Sequence, residues 1–363
     1  MAIFRYAWWK QGILILGILG ILVFRLWNYW TSGQFVAEDG RIFFAGAYNH
    51  SWISSVLLPY AGYFHVLPRL LAELLSLLPL AWQPEAFAWC GMVATSLLLS
   101  LFYLPHFRSL VPGDTARGIG CLLLPLLPNS ENLGTVFGLH WYLSFALALA
   151  VVMEFPKSTA GRTALITGSL LAIWSAPATL ILFPFFLWRA VHSRHSGEGI
   201  WCRLCLVNFC LLGVLVVLLR LQGADRTGDF LWSELLPALN TLILRGWLGS
   251  TFLGMGIAHW LAQTLPWLLS LLGLLGFLGI LYLLLRNSSQ PPARLGWQLL
   301  GIALLMIGLS LTRSLYLSEL AQTPLPRHDR YLTAPTLLLF LLLVALIYPL
   351  FQSRIRFPLF AGL

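Results

Sequence analysis

The chain has 363 residues, of which 59% are hydrophobic and only 10% are charged, whereas soluble domains carry about 25% charged residues. These values exclude an ordinary soluble enzyme and indicate a single integral membrane domain over residues 1–363. The formal net charge of +9 does not indicate a nucleic-acid-binding protein, because the sequence has no basic stripe with interleaved aromatic residues.

Ten apolar segments predict an all-α polytopic membrane protein with about ten transmembrane helices, since a span takes about 20 residues. The third segment is short and contains Pro125 and Pro128, which predict a break in its helix. The fifth and sixth segments predict a hairpin with its turn at Ser175-Ala176-Pro177. The ten predicted spans are 11–30, 85–104, 118–130, 141–155, 163–175, 177–190, 204–221, 264–285, 297–314 and 332–351.

The basic residues are distributed unevenly along this topology. Ten spans place both termini on one side, and that side then carries 13 basic and three acidic residues, against nine basic and ten acidic elsewhere. Cytoplasmic loops are enriched in Lys and Arg, so the asymmetry predicts cytoplasmic termini and accounts for the net charge. The 13 basic residues are Arg5, Lys10, Arg108, Arg117, Lys157, Arg162, Arg189, Arg194, Arg203, Arg286, Arg294, Arg354 and Arg356. The outer loops are then expected at about 31–84, 222–263 and 315–331.

The segment 59–79 decides this topology, because a transmembrane helix there would invert everything that follows. Pro68, Arg69 and Glu73 argue against a lipid-facing span. Arg69 and Glu73 lie one helical turn apart, as in an amphipathic helix at the membrane interface. We therefore expect two interfacial helices in the first outer loop, near 40–56 and 65–79.

An acidic pair, Glu38-Asp39, lies in the tract FVAEDGRIFFAG just after the first span. One alternative is a pair of solvated loop acids at a helix start, where Asp is a common cap. The other is a general base that removes a proton from an acceptor hydroxyl, because carboxylates near hydrocarbon that face a cavity are usually functional. Neighbouring helical residues point in different directions, so we expect one base, Asp39, with Glu38 in support.

Cationic residues suggest a phosphate-binding cradle. A cluster just before the last span consists of Arg327, His328, Arg330 and Tyr331. Arg and Tyr are common anchors at headgroup level, but guanidinium groups also suit phosphate, and both interpretations stay open. Further candidates for the cradle, in the first outer loop, are Arg41, His65 and Arg69.

Three more candidates flank the outer end of the third span: Glu131, His140 and Trp141. Glu131 is either a second active-site acid or a plain loop residue. His140 is expected either to bind a sugar stacked on Trp141 or to be a satisfied histidine in an aromatic belt. No cofactor is predicted, and a divalent metal would require Glu38, Asp39 and Glu131 to converge. The sequence has no Walker, GxSxG, HExxH or GxGxxG motif, which argues against ATP-driven pumping, serine hydrolysis and zinc proteolysis.

The tracts EDG, PYAGYFHVLPRLLAELL, ENLGTVFGLHWYL and HDRYLTAPTLLL resemble a bacterial membrane protein family over about half of the chain. The first span, the outer loop opening with an acidic pair, and the interfacial helices also resemble the GT-C glycosyltransferases. That superfamily uses polyprenyl-phosphate sugars and includes protein O-mannosyltransferases and the aminoarabinose transferases of lipid A. Its acidic pair corresponds to Glu38 and Asp39, although this chain has ED where DE or DxD is commoner.

The resemblance implies an inverting glycosyltransferase with a GT-C-like fold in the bacterial inner (cytoplasmic) membrane, with its active site facing outward. The donor would be a polyprenyl-phosphate sugar, and the acceptor a hydroxyl of a cell-envelope glycan, lipid or protein. The partners expected are therefore the lipid bilayer, the donor and the acceptor. The alternatives are a lipid-linked sugar flippase or transporter and a non-catalytic envelope-assembly protein. Transporters often have ionisable groups at mid-membrane depth, whereas here these groups cluster at the outer ends of the spans.

Overall fold

The computed structural model describes residues 2–127, 133–193, 197–221, 232–288, 291–311 and 332–354. Within these ranges the secondary structure is helical, and the β-type pairing consists of an isolated bridge between Tyr60 and Tyr63. This agrees with the all-α fold that the apolar segments predict.

The α-helices are numbered in chain order. The first eight are α1 Ala2–Arg25, α2 Trp27–Thr31, α3 Ala45–Asn49, α4 Trp52–Val56, α5 Val66–Ser76, α6 Gln83–Leu99, α7 Asp114–Leu123 and α8 Leu139–Val152. The others are α9 Thr159–Ser175, α10 Phe183–His192, α11 Gly197–Leu221, α12 Trp232–Leu239, α13 Ser250–Leu253, α14 Met255–Thr264, α15 Pro266–Arg286, α16 Pro291–Leu311 and α17 Thr333–Arg354. The π-helical segments are Asp39–Phe44 and Asn240–Gly249. The 3₁₀ segments are Leu80–Trp82, Ser100–Tyr103, Pro105–Phe107, Leu124–Leu126 and Pro177–Leu182.

Several of these helices are suited to a bilayer. In the described ranges, the helices long and apolar enough to cross one are Trp8–Arg25, Leu80–Tyr103, Gly197–Leu219 and Pro266–Arg286. The pair Thr159–Ser175 and Pro177–His192, bent by 119°, makes a fifth if it is counted as one span. Shorter apolar helices occupy Leu139–Val152, Ala293–Gly308 and Thr333–Pro349. Each of the ten predicted segments overlaps a helix, but the count of ten spans stays a prediction.

Contacts between helices define two ends of the bundle. At one end, the Glu154 amide donates to the His106 carbonyl at 3.0 Å, so the segment after α8 meets the segment before α7. Arg189 of α10 donates to the carbonyls of Ala150 and Val151 at 2.9 and 2.7 Å, which brings the end of α10 to the same place. We call this the basic end, because its arginines include Arg108, Arg117, Arg162, Arg189 and Arg203.

The opposite end of the bundle is called the site end. There Arg25, the last residue of α1, donates to the carbonyls of Pro125 and Leu127. The Leu67 amide, in the first turn of α5, donates to the Ser175 hydroxyl at 2.8 Å. The segment expected to be the first outer loop therefore packs against the turn between α9 and α10.

Helix α5 lies in the segment that decides the predicted topology. Its 11 residues extend about 16 Å, which is too short to cross a hydrocarbon core of about 30 Å. Its charged residues face inward, since Arg69 is 1% and Glu73 is 7% exposed, whereas Leu74 is 60% exposed. This inside-out arrangement suits a helix whose outer face contacts an apolar environment and whose inner face lines a polar site.

The structure differs from the single helix expected near 40–56. In place of one helix, the chain forms the π-helical segment Asp39–Phe44 followed by α3 and α4. His50 and Ser51 adopt extended backbone conformations, and this ends α3 and separates it from α4. The break allows α4 to turn and pack against α5.

The described part of the expected outer loop 222–263 is also helical. Trp232–Leu239, Asn240–Gly249 and Ser250–Leu253 follow one another without a gap, and α14 comes next. Trp247 and Leu248 are fully buried, so this apolar tract packs into the protein. Gly273 of α15 permits the close approach, because a Cβ there would lie 2.2 Å from the Leu244 carbonyl oxygen.

Candidate active site

Asp39 is fully buried and joins two distant parts of the chain. Its Oδ1 accepts a hydrogen bond from the Phe137 amide at 2.7 Å, and its Oδ2 accepts from the Val136 amide at 3.2 Å. The Tyr29 hydroxyl also donates to Oδ2, at 3.2 Å. Burial raises the pKa of Asp39 to about 7, although these three hydrogen bonds favour the charged carboxylate. Asp39 is therefore a structural link that also titrates near neutral pH.

The segment 133–138 presents the two amides that Asp39 binds. Gly134 adopts a positive φ of 71°, which glycine accommodates without steric cost. The Gly138 amide donates to the Thr135 hydroxyl at 2.9 Å, which closes the turn before α8. Helix α6 approaches closely at Gly91, where a Cβ would lie 2.2 Å from the Gly134 carbonyl oxygen. Close packing of glycines thus sets the position of the amides.

Glu38 is partly exposed and accepts a hydrogen bond from the Tyr60 hydroxyl at 3.5 Å. Tyr60 is paired with Tyr63 across a tight turn, with amide–carbonyl distances of 2.9 and 3.3 Å. The two central residues, Ala61 and Gly62, have φ of 53° and 81°, as in a type I′ turn. The centroid of the Tyr63 ring lies 4.3 Å from that of His65. This turn therefore connects Glu38 to the histidine.

His65 is fully buried among aromatic rings. Its ring centroid lies 5.4 Å from that of Phe43 and 5.3 Å from that of His140. The Tyr60 backbone lies within hydrogen-bonding reach of the imidazole. Burial, followed by the nearby His140 and Arg69, lowers the pKa of His65 well below its usual value, so the imidazole is neutral at physiological pH.

His140 and Trp141 line the same cluster at the start of α8. The Nδ1 atom of His140 lies 2.7 Å from the Phe137 carbonyl oxygen, which identifies Nδ1 as the protonated nitrogen. The Trp141 ring is half-buried and its centroid lies 4.7 Å from that of His140. These contacts bring His65, His140 and Trp141 together around Phe137.

Arg69 carries a buried charge without a full set of partners. Its Nε and Nη1 atoms have no hydrogen-bond partner among the described residues. Its guanidinium carbon lies 5.4 Å from the centroid of the Phe43 ring, in a cation–π contact. Burial lowers the pKa of Arg69, but an arginine stays charged in proteins. A buried, incompletely bonded guanidinium is costly, and an anionic ligand would relieve that cost.

The other predicted site residues fall into two groups. Arg41 is exposed on the π-helical segment, while Asp39 and Phe43 of the same segment are buried, so Arg41 lies on a different side from the cluster. The remaining candidates lie outside the described residues, and so does the loop 315–331: they are Glu131, Arg327, His328, Arg330 and Tyr331. Their roles stay predictions.

Helix α17, which follows that arginine cluster, begins at the site end. A Cβ on Gly113 would lie 2.6 Å from the Tyr348 hydroxyl, and one on Gly120 would lie 3.8 Å from Val344, so the later part of α17 lies beside the start of α7. Thr333 precedes Tyr348 by about 22 Å of helix. Since Tyr348 lies beside Gly113 at the basic end, Thr333 lies at the opposite end of the bundle, which holds Asp39. Thr333 is also fully buried.

Sequence reasoning missed several residues that build this site. Tyr29 and Tyr60 donate to the two acids, Phe43 contacts both His65 and Arg69, and Ser55 is buried nearby. One local signal was present, because Gly62 is the residue type that the second central position of a tight two-residue turn favours. The other contacts join residues far apart in the sequence.

Comparisons with protein-family models, curated proteins and solved structures found no match. The class of protein is defined by composition and fold: several apolar helices indicate a helical membrane protein. Within it, the described candidate site combines the buried Asp39 and the partly exposed Glu38 with buried imidazoles and a buried guanidinium among aromatic rings.

A substitution of Gly91 by Ala tests the close packing that positions the amides. The new Cβ would lie 2.2 Å from the Gly134 carbonyl oxygen and 2.8 Å from the Thr135 carbonyl carbon. We expect a loss of about 1–3 kcal/mol of stability, as is usual for overpacking, measured by thermal unfolding in detergent. The control is Gly20→Ala, where the new Cβ has no atom within 4 Å. Equal effects of the two changes would contradict the packing described.

The raised pKa of Asp39 predicts a dependence of stability on pH. The carboxyl titrates near 3.8 when unfolded and at about 7 when folded, so the folded state holds the proton more tightly. The stabilisation that proton binding by Asp39 adds to the free energy of unfolding is therefore complete below about pH 4 and is lost as the pH rises to about 7.

We expect the melting temperature of the wild type to fall, relative to that of Asp39→Asn, between pH 4.5 and 7.5. Thermal unfolding of both proteins at each pH measures this difference. The control is Glu85→Gln, which replaces an exposed acid in the first turn of α6. Parallel curves for the wild type and Asp39→Asn would show that Asp39 titrates at its ordinary pKa.

Proposed function

We propose that this protein is an inverting, GT-C-type glycosyltransferase of the bacterial inner membrane. It would transfer a sugar from a polyprenyl-phosphate carrier to an outer-facing hydroxyl of a cell-envelope glycan, lipid or protein. The observation that carries the proposal is a continuous set of contacts at the site end, in which Tyr60 bonds Glu38 and packs against His65, and Phe43 packs against both His65 and the incompletely bonded Arg69. Proton removal and phosphate stabilisation need the carboxylate and the guanidinium that these contacts connect.

The chemistry of the transfer matches this set of groups. Displacing a phosphate from the anomeric carbon leaves an anion, which a cation stabilises without protonating it. Arg69 supplies that charge among the described residues. One carboxylate is then enough to remove the proton of the acceptor hydroxyl, unlike glycoside hydrolysis, where two carboxylates take part.

The two acids have different roles in this proposal. The raised pKa of Asp39 suits a general base, but a base has to reach the proton that it removes. Asp39 is fully buried and its oxygens accept three hydrogen bonds, whereas Glu38 is partly exposed. This favours Glu38 as the base and Asp39 as the residue that holds 133–138, the reverse of the order expected from the sequence.

The aromatic residues around the cluster suit a sugar. Small-molecule sites are mostly apolar and aromatic, with a few polar groups that fix the orientation of the ligand. Tyr63, Phe137 and Trp141 supply rings, and His65 and His140 supply ring nitrogens next to them. In the proposal these residues hold the sugar between Arg69 and Glu38.

The distribution of charge supports an outward-facing site. The arginines of the basic end lie at the end of the bundle opposite the cluster, and Lys and Arg are enriched on the cytoplasmic side of membrane proteins. A lipid-linked sugar in the outer leaflet would then lie on the same side of the membrane as the cluster. A transporter is less well supported, because Glu38 and Asp39 lie beyond α1 and not at mid-membrane depth.

Replacing each acid separately tests the proposal. Cells that lack the protein would be complemented with the wild type, Glu38→Gln, Asp39→Asn or Glu85→Gln, and the masses of their envelope glycans compared. We expect a sugar-sized mass in the wild type and the Glu85 control, and a loss of about 100-fold or more in Glu38→Gln. Asp39→Asn should reduce transfer in proportion to the loss of folded protein.

Immunoblots of the membrane fraction show whether each variant is present. Normal glycans in cells with well-expressed Glu38→Gln would show that Glu38 is not the base. Normal glycans with each of the two acid variants would overturn the proposal that the protein is an enzyme. If the protein is a transporter, the lipid-linked sugar accumulates on the inner leaflet in cells with the acid variants. The purified wild type and the purified variants then do not differ in sugar transfer.

A further inference from the structure

A cavity of about 670 Å³ opens at the basic end of the bundle. Its volume lies in the range of small-molecule sites, about 300–1,000 Å³. The ends of α8 and α10 and the starts of α11 and α16 form its walls. The cavity is therefore separate from the cluster around Asp39, which lies at the opposite end of the bundle.

The floor of the cavity is held by Arg189, whose charge is already matched. Its Nε atom donates to Glu198 Oε1 at 2.7 Å. Its Nη1 atom donates to the carbonyls of Ala150 and Val151, and its Nη2 atom donates to the Met153 carbonyl at 3.3 Å. Arg189 thus ties the end of α8 to the start of α11, and together with Glu198 it adds no net charge to the cavity.

Two opposite charges remain on the walls. Glu154, which follows α8, and Arg294, in the first turn of α16, both line the cavity and are both exposed. Neither side chain takes part in an ion pair among the described residues. A ligand with a single charge would be attracted by one of these groups and repelled by the other. The complement of this cavity is therefore a ligand that carries both charges.

Apolar and aromatic surface lies beside these charges. Val151 and Val152 are buried and Leu295 is half-buried, and all three line the cavity. Trp188, also in the lining, is 53% exposed, and its ring centroid lies 4.5 Å from that of His192. An exposed indole is typical of the level of lipid head groups, and its face attracts an ammonium group. These walls suit a ligand with an apolar part as well as two charges.

From this combination we infer that the cavity binds the head group of a zwitterionic phospholipid, of which phosphatidylethanolamine is the simplest. The Arg294 guanidinium binds the phosphate, and Glu154 accepts hydrogen bonds from the ammonium, as it would from a lysine. The glycerol and the first part of the acyl chains lie along the apolar wall. This inference is independent of the proposed function, and no sequence motif marks the two residues.

A simpler interpretation is that Trp188 and Arg294 only anchor the helices at the level of the head groups, as such residues commonly do. An anchor contacts all phospholipids alike. A site with both charges discriminates between head groups, because phosphatidylglycerol has the phosphate but no ammonium to meet Glu154. The preference between these two lipids therefore separates the interpretations.

Native mass spectrometry of the purified full-length protein measures this preference, with phosphatidylethanolamine and phosphatidylglycerol of identical acyl chains. We expect the wild type to bind phosphatidylethanolamine about 10-fold more tightly, as for one hydrogen bond between charged groups. Glu154→Gln should lose the preference, and Arg294→Gln should bind both lipids about 10-fold more weakly. The controls Glu85→Gln and Arg286→Gln, which change exposed residues outside the cavity, should match the wild type.

Reversing one charge gives a result that misfolding cannot produce. Glu154→Lys leaves two unmatched cations on the walls, so its preference should invert toward phosphatidylglycerol. Melting temperatures without added lipid show that each variant is folded. Equal binding of the two lipids by the wild type, or an unchanged preference in both Glu154 variants, would overturn the inference.

Soluble O-phosphoethanolamine tests whether the ligand is a lipid, since it has both charges but no acyl chains. We expect it to compete weakly with phosphatidylethanolamine in the wild type and not at all in Arg294→Gln. Binding of O-phosphoethanolamine as tight as that of the lipid would show that the apolar wall contributes nothing, and would overturn the assignment to a phospholipid.

Discussion

The hydrogen bonds between the Asp39 carboxylate and the amides of Val136 and Phe137 are the constraint on which the site depends. They join residues nearly 100 positions apart, and without them two buried amides would lack an acceptor. The link sets Phe137 against Phe43, with ring centroids 6.1 Å apart, and His65 and His140 pack around that pair. One buried acid thus connects the segment after α2 to the start of α8.

The same cluster holds polar groups that its own structure leaves unsatisfied. Among the described residues, Arg69 Nε and Nη1 and Glu73 Oε1 are buried without a hydrogen-bond partner. Such groups destabilise an empty protein, and their retention in one place is typical of sites that a ligand completes. The apolar faces of α4 and α5 are exposed. In a bilayer, these faces would contact the hydrocarbon and place the polar cluster next to its surface.

Much of the helical framework could be predicted, because the length of an apolar segment and the charged residues within it can be read from neighbouring residues in the sequence. Arg69 and Glu73 indicated that 59–79 is not a span, and Pro125 predicted the break at which α7 ends at Leu123. The site was predictable only in its chemically conspicuous members, such as Glu38 and His140. Ser55 could not be predicted, because its burial follows from the packing of α3, α4 and α5 around Gly46. The helical tract from 232 was missed because its scattered charges obscured an apolar, glycine-packed core.

In the proposed function, the acids and Arg69 belong to one phosphate-binding active site at the site end. A cryo-electron microscopy map of the protein with undecaprenyl phosphate in nanodiscs tests this most directly. The account predicts phosphate density within about 4 Å of the Arg69 guanidinium, on the Glu38 side of the bundle, with the chain leaving over α4 and α5. Phosphate density at the basic end, beside Arg189, with none near Arg69, would contradict it.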